Sequence, residues 1–251
     1  MTVRYAALML VSLALAGCEK GPDRQLQGWV EAETIFVSPD EQGRVEELKV
    51  RQGDKVTKGD LLFTLDDDLQ RADVQVRQAT LAAARQSYAR AEELLKTAAG
   101  TQKTLDDARS ALQQAQANLD AAQTRLTRRR QLSPVTGSVE EVYYRPGETV
   151  QPGKPVVALL PPANLKVRFF SPERELAAIQ IGDVVGVSCD SCPTGLTAKV
   201  TFIARSAEYT PPVIYSLEER AKLVYLIEAR PDDPSKLRVG QPVTVTRGGK
   251  P

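Results

Sequence analysis

The stretch Val45–Leu65, VEELKVRQGDKVTKGDLLFTL, occurs twice in this chain. Its second copy, Val139–Leu159, reads VEEVYYRPGETVQPGKPVVAL and aligns without a gap, with eight of the twenty-one positions identical. Each copy alternates apolar and polar residues around a Gly-(Asp/Glu)-x-Val turn, which is typical of short strands joined by tight turns in which glycine supplies positive φ. Chance similarity between two β-hairpins is the alternative. The matched spacing favours a duplication whose halves pack together as a small β-sandwich with a pseudo-twofold axis.

The segment between the two copies has the composition of helix. From Leu69 to Leu132 it contains no proline and one glycine, Gly100, near its midpoint. This pattern predicts an antiparallel two-helix coiled coil with arms of about thirty residues, each roughly 45 Å long. The second arm has leucine every seven residues with alanine between, at Leu105, Ala108, Leu112, Ala115, Leu119, Ala122 and Leu126. The first arm offers Leu69, Ala72, Val76, Ala79 and Ala83, and then shifts phase to Tyr88, Ala91, Leu95 and Ala98, which predicts a stutter.

The segments VEELKVRQGDKVTKGDLLFTLD and SPVTGSVEEVYYRPGETVQPGKPVVALL resemble the two halves of a biotinyl/lipoyl-type domain. Split by a helical hairpin, they are similar to the HlyD-like periplasmic adaptor (membrane fusion) proteins of tripartite efflux and secretion pumps. The resemblance implies an elongated, modular α+β fold with a β-barrel after the sandwich. Carriers of lipoate or biotin bear their modified lysine at the turn between the halves. Helix occupies that junction here, so we expect no cofactor.

The resemblance also implies a division of the chain into modules. We expect a signal peptide at 1–17, a lipidated linker at 18–27, an N-terminal strand toward the barrel at 28–37, lipoyl half 1 at 38–66, the helical hairpin at 67–132 with its tip at 98–103, lipoyl half 2 at 133–162, and the β-barrel with part of a membrane-proximal region at 163–251.

The hairpin tip carries a candidate docking motif. Arg90-x3-Leu94-x6-Thr101 resembles the Arg–Leu–Ser motif with which adaptors of this family dock on a TolC-like outer-membrane channel, with threonine where the family usually has serine. The retained hydroxyl keeps its donor and acceptor capacity. In the alternative interpretation Arg90 is a solvated helix charge, Leu94 belongs to the seam, and Thr101 is a turn residue or cap, while Thr104-x-x-Asp107 forms a capping box.

The first eighteen residues read as a secretory signal that ends in Leu15-Ala16-Gly17-Cys18. This resembles the bacterial lipoprotein cleavage box, so Cys18 is the expected lipidation site; an ordinary signal peptide with an incidental cysteine is the alternative. Several acyl chains would anchor the protein stably. From the adaptor resemblance we expect it on the periplasmic side of the inner membrane of a Gram-negative bacterium.

The last third alternates short strands with one short helix, which is predicted to begin near Ser171-Pro172-Glu173 with proline at its first position. Cys189-Asp190-Ser191-Cys192 permits a local disulfide in an oxidising compartment, with free thiols, or a redox or metal site, as alternatives. Zinc would want about four ligands, and the chain has no histidine, so no metal site is expected. The segment Arg205–Ala221 resembles segments that accompany adaptors of ABC-type exporters.

Composition excludes several classes of function. Thirty-three basic residues face 32 acidic ones, which argues against nucleic-acid binding, and the absence of histidine removes catalysis by Ser-His-Asp or Cys-His groups. The predicted function is a non-enzymatic adaptor that joins an inner-membrane transporter, favoured to be ABC-type, to a TolC-like outer-membrane channel for efflux of small molecules. The resemblance implies a homo-oligomer, a ring of six copies. The rivals are a swinging-arm carrier enzyme and a structural envelope lipoprotein with a coiled-coil spacer and no transport role.

Overall fold

The computed structural model describes residues 25–209 and 223–247. Two compact units form: Glu33–Asn164 make one, and the described residues on either side of that segment make the other. The predicted signal peptide, Cys18, and most of the predicted linker lie outside the described residues.

The first unit contains the duplicated strands and both long helices. Its strands are β2 (Ile35–Val37), β3 (Gly43–Leu48), β4 (Lys55–Val56), β5 (Leu61–Leu65), β6 (Arg130–Leu132), β7 (Gly137–Val142), β8 (Thr149–Val150) and β9 (Val157–Leu160), and its helices are α1 (Asp68–Lys96) and α2 (Gln102–Thr127).

The two halves of the sandwich exchange strands. One sheet has the order β2-β9-β7-β4 and the other β6-β5-β3-β8, so each sheet takes two strands that precede the hairpin and two that follow it. The pairings are equivalent, since Gly43 lies opposite Val150 and Gly137 opposite Val56. Neither half can complete its hydrogen bonding without the other. The predicted sandwich with a pseudo-twofold axis is therefore confirmed.

A shared apolar core lies between these sheets. It includes Val45 and Phe63 from the first half and Val139 and Leu159 from the second, all at most 1% exposed. The turn glycines Gly53 and Gly147 occupy equivalent positions with φ of 90° and 95°, a conformation that residues with a Cβ rarely adopt.

The helices pair along one seam, which confirms the phase predicted for α1 at Tyr88, Ala91 and Leu95, but the phase predicted for its first part, and with it the stutter, is wrong. The side chains that face α2 recur without a stutter at Val74, Arg77, Leu81, Ala84, Tyr88, Ala91 and Leu95. Of the residues predicted for the first part of this seam, Leu69 is 80% and Val76 61% exposed. The seam predicted for α2 is confirmed, with Leu105, Ala115, Leu119 and Ala122 buried.

The second unit is a closed barrel followed by a short edge strand. Its elements are β1 (Gln25–Ala32), β10 (Leu165–Pro172), α3 (Glu173–Leu176), β11 (Val184–Ser188), β12 (Leu196–Ile203), β13 (Glu208–Tyr209), β14 (Leu223–Pro231) and β15 (Pro242–Arg247). The order β10-β1-β15-β11-β12-β14-β13 closes because β10 also pairs with β14. Val30, Val167, Phe169, Ile227 and Val245 fill the interior and are completely buried.

Four predicted boundaries differ from the observed ones. The single strand expected at 28–37 is two strands, because β1 joins the barrel from Gln25 onward while β2 joins the sandwich. Helix α2 ends at Thr127, and residues 130–132, expected in the hairpin, are the strand β6. The tip connection is 97–101, so residues 102 and 103 are helical. Pro172 is the N-cap of α3 and not its first residue.

Candidate docking site at the hairpin tip

The tip is a tight connection built on the last turn of α1. The carbonyl of Leu94 accepts the backbone N–H of Ala99 at 2.8 Å and of Gly100 at 2.9 Å. Ala98 has φ of 57°, in the left-handed region, as is common where a helix ends. A Cβ on Gly100 would lie 3.1 Å from the carbonyl carbon of Leu94, so glycine is the residue that lets the chain turn back closely. The connection is therefore well defined and places α2 directly beside α1.

Thr101 starts the second helix. It is the N-cap of α2, and its hydroxyl accepts the backbone N–H of Thr104 at 3.2 Å, while the Thr104 hydroxyl accepts the N–H of Thr101 at 3.2 Å. The capping box is thus Thr101–Thr104, and the predicted box Thr104–Asp107 is wrong because Thr104 already lies inside the helix. Asp107 instead pairs with Lys103 at 2.9 Å. The Thr101 hydroxyl has a structural use that a serine would meet equally well.

Arg90 and Leu94 lie one helical turn apart on α1 and outside the seam. Leu94 is 50% exposed, so the interpretation that placed it in the seam is wrong. Arg90 is exposed, and its guanidinium donates to the hydroxyl of Ser87 at 3.0 Å. Together they present an apolar and a cationic side chain to solvent on one helix face. Such a pair can contact a partner's apolar pocket and a neighbouring carbonyl or carboxylate.

The base of the hairpin is fixed by a buried arginine. Arg129 is 8% exposed, and its guanidinium donates to the carbonyl of Gln42 at 2.8 Å and to the Glu41 carboxylate at 3.1 Å. With its amide oxygen oriented toward the guanidinium, Gln70 of α1 accepts from Arg129 Nε at 3.1 Å. One side chain therefore joins α1 to the sandwich. The heptad spacing of Ala108, Ala115 and Ala122 continues to Arg129, and this is the sequence signal for an arginine that turns inward.

The strand that enters the hairpin ends in a second ionic contact. Arg44 donates to the Asp66 carboxylate at 2.7 Å. This bond, followed by one from the backbone N–H of Asp68, lowers the pKa of Asp66 below its usual value. Asp66 therefore stays ionised to a lower pH than an unpaired aspartate would, and its bond to Arg44 attaches the entry to α1 to β3.

The two barrel cysteines are joined by a disulfide. Cys189 and Cys192 have their Cα atoms 5.2 Å apart, and the amide nitrogen of Gln241 lies 2.8 Å from Cys189 Sγ. Sulfurs in this state hold no metal. Among the described residues no group of three His, Cys, Asp or Glu side chains could hold an ion, and no helix has the length and apolarity needed to cross a membrane.

Comparison with known proteins places this geometry in context. A family model described as the EmrA alpha-helical hairpin domain matches residues 56–140. The solved structure of the MacA-MexA chimeric protein, containing the Pseudomonas aeruginosa MexA hairpin, matches 90% of this chain and 81% of its own, with a TM-score of 0.71 and 22% identity. This chain therefore shares the fold of that protein. The structure of the membrane fusion protein Spr0693 of Streptococcus pneumoniae has the same fold, with a TM-score of 0.70 and 22% identity over 90% of this chain and 100% of its own.

Curated relatives cover less of the molecule. A UPF0194 membrane protein from the asrC 5′ region of Acidithiobacillus ferridurans is 35% identical over 122 residues, which is 48% of this chain and 36% of that relative. An uncharacterised Haemophilus influenzae protein is 30% identical over 62% of this chain and 41% of its own. The chain therefore spans less than half the length of these curated relatives.

Proposed function

We propose that this chain is the periplasmic adaptor subunit that links an inner-membrane exporter to a TolC-like outer-membrane channel for efflux of small molecules. The observation that carries the proposal is the tip, where Arg90 and Leu94 stand free of the seam at the end of a coiled coil. Helix α1 has 29 residues and so is about 44 Å long. Such a length lets the tip reach a partner far from the sandwich.

The remaining modules have matching roles in this proposal. Acyl chains on Cys18 hold the protein at the inner membrane, facing the periplasm. The barrel sits on the transporter, and six copies pack side by side so that their hairpin tips engage the channel together. An ABC-type transporter is favoured by the segment 205–221, most of which lies outside the described residues. The energy of transport then comes from the transporter, and this chain couples it by changing conformation.

Two rivals are weaker. A carrier enzyme needs its modified lysine at the turn between the halves, and here that junction, between Leu65 and Arg130, holds both helices. A structural envelope lipoprotein accounts for the helices and the lipid, but it gives no reason for the duplicated β-domain whose two halves the hairpin separates.

Drug accumulation in living cells tests the proposal. We expect Arg90→Asp to raise accumulation to the level of a full deletion, because it reverses the charge offered to the channel. Arg109→Asp on α2 makes the same change at an exposed position outside the tip motif and should leave accumulation near wild type. Membrane fractionation checks that both variants are present in normal amount. Wild-type accumulation in Arg90→Asp, with a deletion that has no phenotype over a broad compound panel, would favour the structural lipoprotein.

A further inference from the structure

The disulfide of the barrel closes a loop that other bonds already hold together. Cys189 and Cys192 lie in the connection between β11 and β12, and the backbone N–H of Cys192 donates to the carbonyl of Cys189 at 3.2 Å. Just beyond this turn, Val187 and Leu196 lie opposite each other in the two strands. A disulfide across so short a loop removes little conformational freedom from the unfolded chain, because the entropic gain is smallest for short loops. The bond can therefore open without releasing the strands.

The side chain of Gln241 holds an N–H donor against the sulfurs. Its amide oxygen accepts the backbone N–H of Arg238 at 3.0 Å, which fixes the orientation of the amide because a backbone nitrogen can only donate. The amide nitrogen then lies 2.8 Å from Cys189 Sγ, 3.5 Å from Cys192 Sγ and 3.3 Å from the Ser191 hydroxyl. Hydrogen bonds to a charged group are stronger than those to a neutral one. This donor therefore stabilises a thiolate at Cys189 more than one at Cys192.

Two grooves that reach the disulfide differ in charge. Both cysteines line the first groove together with Pro193 and Leu196, and none of its lining residues is charged. Cys189 also lines the second groove, together with Asp190. An incoming thiolate meets no carboxylate in the first groove, whereas the Asp190 carboxylate repels it in the second. The approach along the first groove is the favoured one, and it leads to Cys192.

We propose that Cys189–Cys192 is a thiol–disulfide exchange site that accepts electrons from a dithiol, with Cys192 as the attacked sulfur and Cys189 as the leaving group. A thiolate of the dithiol bonds to Cys192 Sγ, and the bond between the two Sγ atoms breaks with its electron pair on Cys189. The second thiol then attacks the dithiol's own sulfur in the mixed disulfide, which releases Cys192. The dithiol is oxidised to a disulfide, and the two protons that it loses are taken up by the two cysteine thiolates.

Reduction of the purified full chain by dithiothreitol tests this site. The proposed function contains no reduction step, so the site is an addition to it, and the test requires no transporter or channel. Trypsin cuts after Arg174 and Lys199, and peptide 175–199 contains both cysteines but not Cys18. Mass spectrometry of this peptide, after acid quenching and alkylation, therefore reports on the pair alone. We expect complete reduction without urea and an unchanged circular dichroism spectrum.

Substitutions of Gln241 test the donor. Gln241→Glu keeps an acceptor for the Arg238 N–H but removes the donor from Cys189, and should slow reduction about five-fold or more, because the leaving thiolate loses its hydrogen bond. Gln241→Leu removes the donor without adding a charge and should also slow reduction. Gln180→Leu makes the same change at an exposed position of the barrel unit outside both grooves and should leave the rate near wild type. Equal rates in all four proteins would overturn the assignment of Cys189 as the leaving group.

Glutathione identifies the attacked sulfur. As a monothiol it forms a mixed disulfide, which N-ethylmaleimide traps by blocking the cysteine that has been released. Fragmentation of peptide 175–199 locates both groups, and we expect glutathione on Cys192 and the maleimide on Cys189. Equal amounts of the two isomers, or an excess of glutathione on Cys189, would overturn the direction of exchange. Reduction by dithiothreitol only in urea would show that the disulfide is purely structural and would overturn the site itself.

Discussion

At the residue scale, Arg129 determines how the hairpin joins the sandwich. Its neighbours in the triplet differ sharply from it: Arg128 is exposed and forms an ion pair with Asp40 at 3.4 Å, and Arg130 is exposed at the start of β6. The heptad spacing indicates which of the three cations turns inward, but it does not indicate what that side chain binds. Its partners come from the distant loop at Glu41 and Gln42, whose carboxylate and carbonyl accept from the Arg129 guanidinium.

Replacing Arg129 tests this assignment. We expect Arg129→Ala to lower the free energy of unfolding by about 2–4 kcal/mol, because it leaves the Gln42 carbonyl and the Gln70 amide without their donor. Arg128→Ala removes an equal number of atoms from an exposed ion pair and should cost less than about 1 kcal/mol. Urea unfolding followed by circular dichroism measures both. Equal losses in the two variants would contradict a special role for Arg129.

At the scale of the element, the coiled coil shows what periodicity can and cannot predict. The seam of α2 is readable because leucine occupies one heptad position throughout and no second row competes with it. Helix α1 has two rows in heptad spacing, and alanine occurs in both. The buried row is the one with Val74, Leu81, Tyr88 and Leu95 seven residues apart. It includes Arg77, which is tolerated because its guanidinium reaches the Asp73 carboxylate at 3.0 Å.

The two valines of α1 separate these rows experimentally. Val74→Ala should destabilise the hairpin by about 1–2.5 kcal/mol, since Val74 is 8% exposed and loses two buried methyl groups. Val76→Ala makes the same change two residues away and should alter stability of the single chain by less than about 0.5 kcal/mol. Thermal unfolding at low protein concentration gives both values. If Val76→Ala lowered the free energy of unfolding more than Val74→Ala, the seam would instead run through Val76, as the sequence predicts together with a stutter.

At the scale of the whole molecule, the repeat is the part of the sequence that predicts most. Equal spacing of glycine and valine in two segments implies one domain assembled from both ends of the insertion, and the structure has that domain. Strand exchange between the halves could not be foreseen, because alternation of apolar residues reports which face is buried but not which strand lies alongside. For the same reason the closing pair of the barrel, β10 with β14, was not predictable.

At the hairpin tip, the structure supports the sequence-based prediction of a docking motif less directly than it supports the predicted fold. The motif spacing led to Arg90, Leu94 and Thr101, and the structure leaves the first two exposed while using the third as a helix cap. Arg90 and Leu94 can thus have a binding role only if another protein contacts them, whereas Thr101 caps α2 whether or not a partner is bound. The central claim is that this partner is an outer-membrane channel.

Photo-cross-linking from the hairpin tip in living cells tests that claim most directly, because it identifies the protein that contacts the tip. With a photoreactive amino acid in place of Leu94, we expect an adduct that mass spectrometry identifies as an outer-membrane channel, and its loss when Arg90→Asp is added. The same probe in place of Gln78, an exposed residue lower on α1, should give no channel adduct. Adducts from Leu94 with proteins other than a channel, or equal channel adducts from both positions, would contradict docking through the tip.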